Sequence, residues 1–171
     1  MTVASSTRHF LGLREVSRDR LIGLLESAAS MLPIVRGEAA PLDMLSGRTI
    51  ANIFLENSTR TRVSFTMAAQ RLGAQSIDLL AASSSQSKGE SLLDTARNVE
   101  AMGVDAMVLR CSASGGAHML AQHVQCPVIN GGDGTCEHPT QGLLDMLAWT
   151  NSLATLDLSG RTLGIVGDVL H

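Results

Sequence analysis

Four short apolar runs, RTIANIF (48–54), AQSIDLL (74–80), DAMVLRC (105–111) and PVINGG (127–132), alternate with segments of helical period, and this alternation constrains the fold more than any other feature. The runs have strand length. Between the first two, Phe65, Ala68, Ala69 and Leu72 recur at helical spacing, and between the second and third Leu92, Thr95, Ala96 and Val99 do the same. Each of these segments is followed by a glycine, Gly73 or Gly103, suited to the left-handed position just past a helix. Residues 116–124 form a shorter helix candidate. Strands alternating with helices of this length join through right-handed crossovers, so the expected fold is α/β: a parallel four-stranded sheet with helices on both faces.

The flanks extend the pattern. Leu21, Leu24, Leu25 and Ala28 lie at i, i+3, i+4 and i+7 behind a Ser17 cap, predicting a helix over 17–32 stopped by Pro33, with the loop RGEAAPLDML after it. PTQGLLDMLAWTN predicts a further helix, with Leu143, Met146 and Leu147 in its apolar stripe. LDLSGRTLGIVGDVLH then reads as a turn and a last apolar strand that opens a second α/β domain. The expected division is 1–137 for the first domain, 138–153 for a linking helix and 154–171 for the start of the second.

Composition narrows the function classes. A net charge of −3 and 2% aromatic residues offer little to a nucleic-acid backbone or to stacked bases. No apolar run approaches the length of a membrane span and the N-terminus has no signal-type apolar stretch, so a cytoplasmic location is expected. Three cysteines, Cys111, Cys126 and Cys136, without a CxxC pair argue against a disulfide framework or a zinc knuckle, and no metal or cofactor is expected.

Ligands of parallel α/β sheets bind outside the carboxyl ends of the strands. The segments that follow the four runs are LENSTRTR, AASSSQSKGES, RCSASGG and GGDGTCEHPTQ, so nearly all the polar punctuation falls at that edge. With Ser58 at the N-cap, the amides of Thr59, Arg60 and Thr61 are unpaired N–H groups of a helix start. The helix dipole, the hydroxyls of Ser58, Thr59 and Thr61 and the Arg60 fork make this an anion site that a phosphate would fit. The same residues also serve as a plain cap with solvated arginines; the P-loop pattern is absent. In EHPTQ, Pro139 at N1 places His138 at a second helix start and Gln141 in its first turn, where they are either a cap or groups that hydrogen-bond a carbonyl and an amine. Arg110 ends the third run, either as a solvent-facing terminus or as a further cation. SSSQSKGES carries Ser84 and Lys88 on what reads as a mobile loop, and Glu90 and Asp94 are placed for capping and dipole roles. His118 and His123 read as surface residues.

FLENSTRTRVSF, SSSQSKGESLLDTARNVEAMGVDAMVLR and NGGDGTCEHPTQGLLD, in this order and through nearly the whole chain, resemble the aspartate/ornithine carbamoyltransferase family. SKGESLLDT and GGDG are similar to its aspartate branch rather than its ornithine branch. The resemblance implies carbamoyl transfer from carbamoyl phosphate to L-aspartate, a step of pyrimidine biosynthesis. It assigns phosphate binding to Ser58, Thr59, Arg60 and Thr61, polarisation of the carbamoyl oxygen to Thr61, Arg110 and His138, and contact with the carbamoyl amine to Gln141. Ser84 and Lys88 would reach into a neighbouring subunit of a catalytic homotrimer, Lys88 also toward aspartate, and the resemblance extends to a regulatory or dihydroorotase partner for such a trimer. Chains of this family are about twice as long, so the resemblance further implies a truncated catalytic chain, inactive alone, that retains only His171 of the stretch leading into the aspartate-binding domain. Two other readings stay open, an ornithine carbamoyltransferase and a non-catalytic anion-binding or oligomerisation fragment.

Overall fold

The structure, a computed structural model, describes residues 8–80 and 91–167. Four parallel strands, β1 (Thr49–Phe54), β2 (Gln75–Leu80), β3 (Ala106–Cys111) and β4 (Val128–Asp133), form one sheet in the order β2-β1-β3-β4. Each begins within one residue of the corresponding apolar run. Helices α3 (Thr59–Arg71), α4 (Leu92–Ala101) and α5 (Gly116–Ala121) lie between successive strands, and Gly73 and Gly103 take φ of 85° and 91° past the first two.

The alternation of side chains along β1 sorts the helices onto two faces. Ala51 and Ile53 join Met107, Leu109 and Val128 in a core closed by Ala96 and Val99 of α4 and Ala117 and Leu120 of α5. Asn52 points the other way, donating through Nδ2 to Thr66 of α3 (3.2 Å) and to Asp78 of β2 (2.8 Å). Both donor positions of this buried amide are filled, while its Oδ1 has no hydrogen-bond partner among the described residues. Val99, Val108 and Phe54 are almost fully buried, as expected of strands and helices sandwiched in this way.

Helices α1 (Arg18–Ser30) and α6 (Pro139–Leu153) pack on each other. The Ser17 cap is present, its Oγ accepting from Arg20 N, but α1 ends at Ser30, two residues before the expected stop. Pro33 lies in the first turn of a separate short helix, α2 (Leu32–Val35), rather than beyond a helix end. Proline lacks the N–H needed inside a helix yet fits a first turn, where that donor has no partner anyway.

The segment before α1 runs beside β4. Phe10 N donates to Val128 O (2.8 Å), Asn130 N donates to Phe10 O (2.9 Å) and Val128 N donates to His9 Nδ1 (3.1 Å). This strap satisfies one edge of the sheet. The expected last strand is not formed over 161–167: the described residues there have no strand pairing and are exposed, Val166 completely. An apolar run becomes a strand only beside a partner, and neither edge of this sheet receives it.

Candidate active site

The strand order reverses between β1 and β3: the chain leaves β1 toward β2 on one side, and β3 returns on the other. The loops that follow these two strands diverge, and the crevice between them is the standard ligand position of an open α/β sheet. The candidate residues flank it. Ser58 and α3 follow β1, Arg110 is the penultimate residue of β3, and His138 precedes α6 just beyond β4.

Ser58 is the N-cap of α3, with φ −139° and ψ 84°, but its hydroxyl does not cap. It donates instead to Thr61 Oγ1 at 2.9 Å, so the two hydroxyls form a pair at the helix mouth and the first-turn amides stay without a side-chain acceptor. An unfilled helix start with aligned dipoles favours an anion. A small concavity lined by Phe54, Glu56, Asn57, Ser58, Thr59 and Arg62 opens beside it. The two arginines of the motif differ in their commitments. Arg62 faces Asp78 across 3.5 Å, whereas the exposed Arg60 guanidinium makes no ion pair among the described residues.

Arg110 is held over the neighbouring strand. Its Nη1 donates to Gly131 O at 3.0 Å, and its buried Nε lies 3.6 Å from Glu56 Oε2 without a hydrogen bond. The guanidinium is thus fixed at one nitrogen and neutralised only across a longer gap. Gly132, with φ of 117°, sits directly under it: a Cβ there would lie 2.5 Å from Arg110 Nη1 and 3.3 Å from His138 Cδ2. The glycine lets the cation and the imidazole close over the same backbone position.

His138 is the N-cap of α6 at φ −131° and ψ 77°, again without a side-chain cap, and Pro139 follows in the first turn. Its Nδ1 lies 3.4 Å from Thr140 Oγ1. Burial and the nearby Arg110 charge hold the imidazole pKa below its ordinary value, against a smaller opposing pull from Asp145. At neutral pH the ring is therefore neutral and offers an N–H without adding a charge. Gln141 is exposed and its Nε2 donates to Asp145 Oδ1 at 2.9 Å, turned along its own helix.

Residues 8–151 match the sequence model of the aspartate/ornithine carbamoyltransferase carbamoyl-P binding domain. The chain belongs to this family. Among its carbamoyltransferase relatives, the aspartate carbamoyltransferase catalytic subunit of Myxococcus xanthus is 51% identical over 96% of this chain and 54% of its own length. That of Geobacter sulfurreducens is 47% identical over 96% and 52%. The catalytic subunit of M. jannaschii aspartate transcarbamoylase superposes with a TM-score of 0.79 at 36% identity, covering 88% of this chain and 49% of that one. Trypanosoma cruzi aspartate transcarbamoylase, solved with carbamoyl phosphate and aspartate, gives 0.81 at 32% identity over 88% and 46%. The chain spans about half the length of the carbamoyltransferases it matches.

Ser58, Thr59, Arg60 and Thr61 stand together at one helix start, and Arg110 and His138 meet over Gly132. Ser84, Lys88, Glu90 and His171 lie outside the described residues. Asp94 lies in the first turn of α4, as its expected dipole role requires, but the cap is Ser91, whose Oγ accepts from Asp94 N at 3.2 Å. His123, just past the end of α5, has its Nδ1 2.8 Å from Met119 O, and His118 lies within α5; both are exposed, as expected. Glu56, Gly132 and the buried pair Asn130 and Asp133 escaped the sequence reading. The first two could have been found by asking what neutralises Arg110 and which glycine of NGG needs positive φ; the buried pair carried no local signal, since its role depends on contacts from distant loops.

Proposed function

We propose that this chain carries the carbamoyl-phosphate half of an aspartate carbamoyltransferase, which moves the carbamoyl group of carbamoyl phosphate onto the amine of L-aspartate. The observation that supports this most directly is convergence: an uncapped helix start rich in hydroxyls, a half-committed Arg110 and a neutral His138 border one crevice at the strand-order reversal. In this reading residues 1–137 form the carbamoyl-phosphate domain, 138–153 link it, and 154–171 open the aspartate-binding domain.

The chemistry follows from charge development. The first-turn amides, the Ser58, Thr59 and Thr61 hydroxyls and Arg60 receive the phosphate. Arg110, His138 and Thr61 donate to the carbamoyl oxygen, and Gln141 turns from Asp145 to the carbamoyl amine. When the aspartate amine attacks the carbonyl carbon, the new C–N bond pushes an electron pair onto that oxygen. Donors already in place stabilise it. Collapse breaks the C–O bond to phosphate, which leaves with the electron pair and accepts a proton from the nitrogen. Holding both substrates in the crevice adds the advantage of effective molarity.

Ser84 and Lys88 are proposed to serve the site of an adjacent copy in a homotrimer. Val63 and Met67, one turn apart on α3, and Ile77 on the edge strand β2 are exposed apolar side chains, which favours burial against a second chain there. The cytoplasm and pyrimidine biosynthesis are the setting this reading implies, and a regulatory or dihydroorotase partner belongs to the same proposal. An ornithine-specific enzyme is the alternative, separated by testing which amine the full-length enzyme carbamoylates. A purely anion-binding or oligomerising fragment is separated by ligand titration and solution mass. The deciding experiment is calorimetric titration of the 171-residue chain with carbamoyl phosphate beside Arg60→Ala. Saturable binding lost in the variant is expected; binding unchanged in the variant would remove the α3 start from the site.

A further inference from the structure

Two strand-end loops, 112–115 after β3 and 134–137 after β4, are tied to each other by contacts that take no part in the anion site. Asp133, fully buried at the end of β4, is the hub. Its Oδ2 accepts from Gly115 N (3.0 Å), and its Oδ1 accepts from Glu137 N (3.1 Å) and from Asn130 Nδ2 (3.0 Å). The backbone adds Asp133 N donating to Glu137 O (3.2 Å) and Gly134 N donating to Cys111 O (2.8 Å). On the outer side Thr135 N donates to Ser114 Oγ (3.3 Å), and the two hydroxyls lie 3.4 Å apart. Asn130, also fully buried, accepts from Gly132 N (2.8 Å) and donates to Leu11 O (2.9 Å), so the glycine between Arg110 and His138 is gripped from the same hub.

The donors that face the Asp133 carboxylate are three neutral N–H groups rather than a cation. A carboxylate is the one side chain of this size that accepts at both oxygens. An amide in its place would turn an N–H toward at least one donor and leave a buried N–H without a partner. The loop so fixed ends at Glu137, immediately before His138, and the other loop begins two residues after Arg110.

We infer that Asp133, seconded by Ser114, is a positioning residue that sets the separation of Arg110 and His138 by locking the β3 and β4 loops together. This deepens the carbamoyl-transfer reading and rests on it, because the pair so spaced would share one carbonyl oxygen. Asp133 touches neither substrate nor the reacting atoms; it acts through the two loops. A hub of directional contacts suits such a task, since catalytic donors lose effectiveness when displaced by a fraction of a bond length.

The test reads His138 itself. Imidazole NMR titrations of the 171-residue chain are compared for wild type, Arg110→Ala, Asp133→Asn and Ser114→Ala. Besides Arg110, the charged group that acts on the ring is Asp145, which pulls the other way, and Glu56 faces Arg110. Arg110→Ala removes the cation and sets the upward shift of the His138 pKa that complete loss of that charge produces, while the larger effect of burial remains. Asp133→Asn is expected to shift it upward by part of that amount, as the ring moves away from the guanidinium, and Ser114→Ala by less. His9, bonded to Val128 at the far end of β4, should titrate unchanged in all three variants. A folded Asp133→Asn chain whose His138 titrates as in wild type would overturn the inference. Should Asp133→Asn not fold, the exposed Ser114→Ala decides: an unmoved His138 overturns it and an upward shift supports it. Failure of carbamoyl phosphate to bind any of these chains would count against the functional reading while leaving the coupling measurement intact.

Discussion

Helices α1 and α4 begin differently from α3 and α6, and the difference sets starts closed by their own side chains apart from the starts proposed to hold a ligand. Ser17 and Ser91 adopt extended backbone, with ψ of 154° and 156°, and their hydroxyls accept from the amides of Arg20 and Asp94. Ser58 and His138 adopt a second conformation, near φ −139°, ψ 84° and φ −131°, ψ 77°, and neither side chain caps. A missing cap forgoes ~1 kcal/mol of helix stability. Four helix starts among the described residues lack a side-chain cap; those of the two long helices, α3 and α6, border the crevice where the strand order reverses, and the other two, α2 and α5, begin helices of four and six residues behind Met31 and Gly115, which have no capping group to offer. Ser58 has the chemistry of a cap and spends its hydroxyl on Thr61 instead, so the exception lies in backbone geometry, not in residue choice.

The comparison breaks most visibly if charge is removed from the uncapped side. Arg110→Ala should weaken carbamoyl phosphate binding by roughly 10- to 100-fold, the range of a charge-assisted hydrogen bond at ~1.5–3 kcal/mol. Calorimetry checks it, and an unchanged affinity would place the ligand elsewhere. Ser91→Ala, on the capped side, should lower unfolding free energy by ~1 kcal/mol and leave anion affinity unchanged. Chemical denaturation measures the first and titration the second. Ser58→Ala should do the reverse. Its stability should stay within ~0.5 kcal/mol of wild type because no cap is lost, while affinity falls a few-fold, as for a neutral hydrogen bond of ~0.5–1.5 kcal/mol. A stability loss equal to that of Ser91→Ala would show that Ser58 caps in solution and would erase the distinction.

The backbone plan was legible because it rests on local signals. Hydrophobic period, strand-length runs and the two helix-ending glycines place β1 to β4, α3 and α4 within a residue or two. The STRTR helix start and the His-Pro helix start are equally local. What sequence reading could not reach depends on partners distant in the chain. The run at 161–167 has strand composition but no neighbour, so it stays unpaired. Glu56 meets Arg110 across the sheet, and Asp133 becomes a hub only once Gly115 and Asn130 are folded against it. Choosing Arg60 over Arg62 as the cation without an ion pair among the described residues likewise turns on Asp78, which sits on β2 and not on the arginines' own helix.

The smallest effect expected is a pH dependence that sharpens the contrast between buried and exposed groups. Burial and Arg110 lower the His138 pKa, and burial with Arg8 lowers that of His9, both from 6.5. Between the folded value and 6.5 the unfolded chain binds more protons than the folded one, so stability falls as pH is lowered through that window. Above 6.5 the penalty is absent, and below the folded values it is complete. Asp105 has its pKa lowered by the Thr49 amide and Arg48, so the stability it contributes is lost only as pH falls below 3.8, outside the histidine window. Denaturation midpoints followed from about pH 8 to about pH 5 should therefore decline, and His138→Gln should flatten part of that decline, with His9→Gln flattening the rest. A wild-type profile that is level through the window would mean that the imidazole is solvated and free of Arg110, and the α6 start would then lose its place beside that cation.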